Sequence, residues 1–385
     1  MNKLPACWEI KKLKDICTIQ DGIHKTPKYT SKGIKFVSVE NINDLYNSNK
    51  FISEEDYNKM YKIKAKKNDI FMTRIGDIGT PAILNKDEKL AYYVTLCLFT
   101  NIDEEVFNKY LYYAIQSNYF KKELYYRTLH VAFPKKINLG DIGDCKFILP
   151  PLDEQKRIAS ALSKIDAYLE NTIKLIEEKE RFKRGIAKKL LTCKEGENIP
   201  EARFKGFEDE WETKTLSSIS NIKKGEQKNK LDLIADGKYP VLNGGMNFSG
   251  YCNSYNREAN TITISEGGNA GYVNFIKEKF WSSGHCYTLH DLKIDKYFLY
   301  QCLKNSEKRL MKLQLGTALK NIRQSEIVEF ELNIPKSIKE QEKIGGYLSL
   351  LDKEIYNLKK QKELIKEMKR GAMQKLLSGE VRLLE

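Results

Sequence analysis

Asp153, Glu154 and Lys156 lie within four positions of one another, and two carboxylates beside a lysine are the kind of cluster with which a nuclease holds a metal ion and activates water. They stand, however, just after Pro150 and Pro151 at the head of a long polar run. Acidic residues there complement the free N–H groups of a helix start, so Asp153 is read as a helix cap. The Pro-Pro pair follows Leu149 rather than the asparagine of an adenine methyltransferase loop, and no GxxxxGK segment followed by Ser or Thr is present to cradle nucleotide phosphates. Gly76 and Gly79, then Gly268 and Gly271, do not make the GxGxxG that opens a dinucleotide-binding helix, and they read as hairpin turns. His24, His130, His285 and His290 share no spacing of a catalytic pair, and the eight cysteines contain no CxxC pair. No catalytic residue, bound cofactor or metal site is expected.

The remaining chemistry is that of binding. Lys and Arg total 66 against 52 Asp and Glu, a net charge of +14, which fits anionic partners, nucleic acid first, and equally a solvated lysine-rich surface, so the order of residues along the chain must decide. Phosphate pairing needs Lys or Arg, and loops follow a groove. The candidates in loops rich in Gly, Asn or Tyr are Lys25, Lys28, Arg74, Arg127, Lys135 and Lys136, then Lys223, Lys224, Lys228, Lys230, Lys320 and Arg323. Arg74 precedes the first glycine turn, where a guanidinium can reach a guanine edge. Glu266 holds the same place before the second turn and can accept from cytosine.

The elements that must position these loops repeat. The segment from Ile148, ILPPLDEQKRIASALSKIDAYLENTIKLIEEKERFKRGIAKKLLT, returns from Ile334 as IPKSIKEQEKIGGYLSLLDKEIYNLKKQKELIKEMKRGAMQKLLS at a constant offset of 186 residues. Glu154 matches Glu340, Gln155 matches Gln341, Asp166 matches Asp352, and Lys183–Arg184–Gly185 matches Lys369–Arg370–Gly371. Apolar residues step by four and three through Ile158, Leu162, Ile165 and Leu169, and through Ile344, Leu348, Leu351, Ile355 and Leu358, the seam of a coiled coil. Each copy is predicted to form one helix of about 38 residues, the two pairing antiparallel because helices this polar need a partner.

A fainter repeat frames what lies between. Trp8, Leu13, Ile16 and Gly22 match Trp211, Leu216, Ile219 and Gly225 at an offset of 203. DIFMTRIGDIGTPAIL and TITISEGGNAGYVNFI each read as strand, glycine turn, strand, and each half closes with a basic loop, FPKKINLGDI or ALKNIRQSEI. Like frames around unlike middles suit two different readers on one scaffold. With 41% hydrophobic and 11% aromatic residues the chain can fill such cores. The opening MNKLPACWEIKKLKDI lacks a signal-peptide core and no window is apolar enough to span a bilayer, so a cytoplasmic protein with reduced thiols and no membrane contact is expected.

LPPLDEQKRIASALSKID, its second copy, and the segment IPEARFKGFEDEWE together resemble the specificity subunit of type I restriction-modification systems, and the likeness covers nearly the whole chain. The second copy departs slightly, reading IPKSIKEQEKI where the family often has a second proline and an aliphatic residue. The resemblance implies an α+β fold with an internal pseudo-twofold repeat: target recognition domains at 1–149 and 195–334, and conserved helical regions at 150–194 and 335–385 forming an antiparallel coiled coil. It implies that each domain reads one half of a bipartite duplex DNA target. The helices would set the spacer, converting residues to length at ~1.5 Å each against ~34 Å per duplex turn, and dock two methyltransferase subunits. Restriction subunits would join them, and S-adenosylmethionine, ATP and Mg would be bound by those partners. Two other readings compete: an interaction scaffold whose domains recognise protein, and a single-chain restriction enzyme, which the absent motifs exclude.

Overall fold

The computed structural model describes residues 4–194, 196–316 and 320–383; Ala318 and Leu319, at the head of the second basic loop, fall outside them. The chain divides into two compact units, Met1–Thr172 with Gln361–Glu385, and Ile173–Lys360. Each unit therefore holds one strand-rich domain and stretches of both long helices.

In the first unit a four-stranded antiparallel sheet runs in the order Thr18–Asp21, Leu96–Thr100, Ile70–Ile75, Asp77–Ile83. A three-stranded sheet orders Phe51–Ile52, Ile34–Val37, Leu90–Tyr92, its last pair parallel. A ribbon of Glu9–Lys12 against Lys146–Leu149 ties the entry of the domain to its exit. The second unit repeats all three: Asn221–Lys224, Cys286–His290, Thr261–Ser265, Val273–Ile276; then Gly250–Cys252, Tyr239–Leu242, Trp281–Ser282, again with the last pair parallel; then Glu212–Thr215 against Glu331–Ile334. The matched glycines explain themselves sterically. A Cβ on Gly22 would sit 2.1 Å from the Tyr92 carbonyl oxygen, and one on Gly225 would sit 2.2 Å from that of Ser283, so only glycine admits the chain there.

The two long helices, Leu152–Leu191 and Ile338–Leu377, have 40 residues each, slightly longer than the periodicity predicts. Asp153 lies inside the first turn rather than before it, exposed and paired with Lys156. It complements the helix dipole instead of capping the helix. Ile158 and Leu162 are buried in the first core together with Leu376 and Leu377. Ile344, Leu348 and Leu351 share the second core with Leu190 and Leu191. Each core thus takes the start of one helix and the end of the other, which makes the pairing antiparallel. Full burial of one such side chain contributes about 1.5–3 kcal/mol.

Two matched ion pairs fix the register. Asp166 receives Lys369 at 2.6 Å and the Tyr113 hydroxyl at 2.8 Å. Asp352 receives Lys183 at 2.5 Å and the Gln301 amide at 2.7 Å. Each aspartate therefore bonds both the opposite helix and a short helix of its own domain, Asn108–Ile115 or Lys296–Asn305. A double-mutant cycle on Lys183 and Asp352 is expected to give a coupling of about 0.5–1 kcal/mol, since both groups keep some solvent. Additive single effects in urea titrations would contradict this.

The Glu-Gln pair at each helix start is a latch. Gln155 accepts from the Phe107 N–H at 2.8 Å and donates to the Pro150 carbonyl at 2.8 Å. Gln341 accepts from the Asp295 N–H at 2.9 Å and donates to the Pro335 carbonyl at 2.8 Å. Glu154 takes the Trp8 indole N–H at 2.9 Å and two bonds from Arg382, at 2.6 and 2.7 Å. Glu340 takes the Trp211 indole at 3.4 Å and two bonds from Arg203, at 2.7 and 2.8 Å. Glu154, Glu340 and both tryptophans are buried. Glu154, one of the two carboxylates of the apparent catalytic cluster, thus holds a domain to its helix.

Candidate nucleic-acid interface

Both glycine turns form as predicted, with Gly76 and Gly79 at φ 82° and 93°, and Gly268 and Gly271 at 79° and 86°. A Cβ on Gly79 would meet Leu124 at 2.6 Å, so the second glycine of the turn admits the neighbouring helix Asn118–Arg127. Beside each turn runs a basic segment. The Gly76 N–H donates to the Lys135 carbonyl at 2.8 Å and the Ile137 N–H donates to the Arg74 carbonyl at 3.1 Å. In the second domain the Ile322 N–H donates to the Glu266 carbonyl at 2.9 Å. Turn and basic loop therefore come together in each domain: Gly76 with Lys135 and Lys136, and Gly268 with Lys320 and Arg323. Those four cations are exposed. A cleft of about 400 Å³ lies by the first turn, lined by Gly76, Asp77, Lys121, Tyr125, His130 and Lys135.

Arg74 and Glu266 do occupy equivalent places, but Arg74 does not present itself to a base edge. The strand pairing shifts register between Met72 and Arg74, and such a bulge re-aims a side chain. The Arg74 guanidinium is 9% exposed; Nε donates to the Ile137 carbonyl at 3.2 Å, and Nη1 to Asp21 at 3.2 Å and the Val94 carbonyl at 3.1 Å. Nε and Nη1 thus serve the interior, which gives the guanidinium a structural role at the place where guanine reading was expected. Glu266, 14% exposed, accepts from Lys224 at 2.6 Å and from the Tyr287 hydroxyl at 2.9 Å through Oε1. Its Oε2 makes no hydrogen bond and stands 3.4 Å from His285 Nδ1. Burial raises the affinity of this carboxyl for a proton, but the bonds from Lys224 and Tyr287 outweigh it and hold the group below the ordinary glutamate range.

Asp21 and Lys224 match in the tryptophan repeat, and Arg74 and Glu266 match in the glycine repeat. One ion pair therefore stands at the same place in both domains with its polarity reversed. Even the third contact is conserved by substitution: the Ile137 carbonyl takes Arg74 Nε, whereas the Ile322 carbonyl takes the Tyr287 hydroxyl at 3.2 Å.

The other candidates divide by how free their charges are. Lys25, Lys28, Lys223 and Lys230 are exposed and make no ion pair among the described residues. Arg127 is committed to Glu123, its i−4 neighbour, at 2.9 Å. Lys224 is engaged by Glu266, and Lys228 lies 3.8 Å over the Trp281 ring. Val131 and Phe133 in the first domain, and Leu231 beside Lys230 in the second, stand fully in solvent, which the cation pattern of the loops does not signal.

Two domains of one topology, each offering a different basic loop beside a common glycine turn, define a doubled recognition protein. The chain matches the type I restriction modification DNA specificity domain over residues 5–178 and again over 208–367, and it belongs to that family as a type I specificity subunit. A Mycoplasma pneumoniae protein named as a type I specificity subunit is 37% identical over 171 residues, 44% of this chain and 46% of that one. A Methanocaldococcus jannaschii protein named as a type I restriction enzyme specificity subunit aligns with the whole chain and 96% of its own length at 26% identity. The crystal structure of the S subunit from M. genitalium superposes with a TM-score of 0.68 at 19% identity, covering 98% of this chain and 97% of that one. A chain from a type I R-M system structure concerned with complex assembly and conformational transition gives 0.59 at 13% identity, covering 99% and 100%. Among the described residues no helix is long and apolar enough to cross a membrane.

Proposed function

We propose that this subunit chooses the DNA target for a type I complex and performs no chemistry itself. Each domain reads one half of a bipartite duplex sequence through the loops beside its glycine turn, and the helical regions set the unread spacer and dock two methyltransferase subunits. Restriction subunits complete the assembly; S-adenosylmethionine, ATP and Mg are bound by the partners, in the cytoplasm. The observation that carries this reading is the repeat itself: one strand order occurs twice, with reciprocal ion pairs, while the loops differ.

Single-molecule sequencing of adenine methylation, in cells carrying the neighbouring methyltransferase with and without this chain, tests it. A split motif is expected only when the chain is present. Insertion of one matched helical turn into both long helices is expected to lengthen the spacer while leaving both half-sequences unchanged. Methylation identical in both strains would remove the DNA-reading role and favour a protein-binding scaffold.

A further inference from the structure

The hairpin Leu129–Lys136 is fixed at its root and open at its tip. The Leu129 N–H donates to the Lys136 carbonyl at 2.8 Å, and Gly76 and Arg74 hold the Lys135 and Ile137 carbonyls from the sheet side. His130 is held too, with Nε2 2.8 Å from the Tyr125 carbonyl and its ring 4.5 Å from the Tyr125 ring. Beyond this root Val131 is 99% and Phe133 104% exposed, and Tyr126 on the adjoining helix is 77% exposed. Single exposed apolar residues are ordinary on protein surfaces. Here two stand together on a rigidly rooted tip, flanked by Lys135 and Lys136, and no carboxylate occurs between Glu123 and Asp141.

An apolar tip whose own hairpin carries cations and no carboxylate, with Asp77 lying at its root, suits a partner that is apolar within and anionic without. The stacked bases and phosphates of duplex DNA have that character, whereas a protein partner offers no such regular pairing of the two. We propose that Phe133, backed by Val131, is a wedge that enters a base step beside the half-site of the first domain, while Lys135 and Lys136 pair with the flanking phosphates. This rests on the DNA-reading assignment above and adds a shape-dependent component to it. Wedges of this kind unstack a step and kink the duplex, so they favour deformable pyrimidine–purine steps without hydrogen-bonding a base. The matched hairpin of the second domain closes in the same way, the Leu315 N–H donating to the Asn321 carbonyl at 2.8 Å. Its sequence, LGTALKN, holds no aromatic residue.

The test uses the chain assembled with its methyltransferase subunits, and a short duplex carrying the motif read from methylation in wild-type cells. 2-Aminopurine is placed step by step across the first domain's half-site and its flanks, and dyes at the duplex ends report bending. The wild-type complex is expected to brighten one position and shorten the end-to-end distance. F133A should abolish both signals, weaken binding roughly tenfold and relax the preference for a pyrimidine–purine step beside the half-site, and F133L should restore most of each. A K135A/K136A variant should keep the 2-aminopurine signal at saturating protein but reduce the salt slope of binding by about two. F133A with an unaltered bend and fluorescence, or F133L no better than F133A, overturns the wedge while leaving the DNA-reading role intact. Loss of the methyltransferase subunits from the F133A complex also overturns it, because the tip is then a protein contact. A wild-type complex that binds no DNA removes the reading on which the wedge rests, and the wedge with it.

Discussion

Arg74→Met is expected to destabilise the first domain by about 3–5 kcal/mol, the usual cost of stripping one partner from a buried, hydrogen-bonded ion pair. Three acceptors lose a donor at once: the Ile137 and Val94 carbonyls, and the Asp21 carboxylate, which keeps His24 Nε2 at 2.9 Å. Hydrogen exchange on the intact chain is the measurement suited to this, because two units need not unfold together. Amides of Ile70–Ile75 and of the Leu129–Ile137 segment should exchange faster, while those of Thr261–Ser265 should not. The second domain shows that the opposite polarity is tolerated at this place, with Lys224 and Glu266 standing where Asp21 and Arg74 stand. Asp21→Lys combined with Arg74→Glu should therefore recover part of the loss, although the Ile137 carbonyl then lacks the hydroxyl that Tyr287 supplies to Ile322. A methylation motif relaxed at one base with unchanged exchange would restore Arg74 as a base reader and refute its structural role.

The second large effect is expected at the latch. Glu154→Ala leaves the buried Trp8 indole without an acceptor and Arg382 without its carboxylate, a loss of about 2–3 kcal/mol for hydrogen bonds to a charged group. Glu340→Ala should do the same to the second domain through Trp211 and Arg203. The pH dependence has a definite sign. Burial favours the protonated form of Glu154, but Arg382 and Trp8 outweigh it and hold the carboxyl below the usual glutamate range. A group whose folded pKa is depressed contributes its stability above the unfolded pKa and loses it as the pH falls through the folded one. This contribution should thus be intact at neutral pH and fade below about pH 4. Thermal melts of wild type and Glu154→Gln should converge as acid is added; curves that stay parallel would mean that the ionised carboxylate is not what holds the latch.

The repeat was legible because helical seams and hairpins write themselves locally. Ile158 and Leu162 recur at the spacing that puts them on one face, and Gly76 and Gly79 mark a turn whatever surrounds them. The match of Glu154–Gln155 with Glu340–Gln341 was equally visible, but its meaning was not. The arginines that complete each latch lie outside the match: Arg203 is twelve residues past Leu191, whereas Arg382 is only five past Leu377. Periodicity carries no information about contacts made across 137 or 228 positions of chain.

The same limit governs the candidate interface. Arg74 and Lys135 were indistinguishable as cations near a glycine turn, and only packing separates them: a bulge aims Arg74 into the sheet, and the hairpin root leaves Lys135 outside. The sequence by itself determined the doubled architecture, the antiparallel helix pair and the two glycine turns, since each follows from residue types at short or constant spacing, while the family came from the resemblance of its motifs. Tertiary structure alone decided which charges are consumed internally, that the two domains carry one ion pair in opposite polarity, and that Phe133 is held in solvent. Burial and hydrogen-bond partnership depend on which distant segments share a neighbourhood, and no short-range pattern in the chain encodes that.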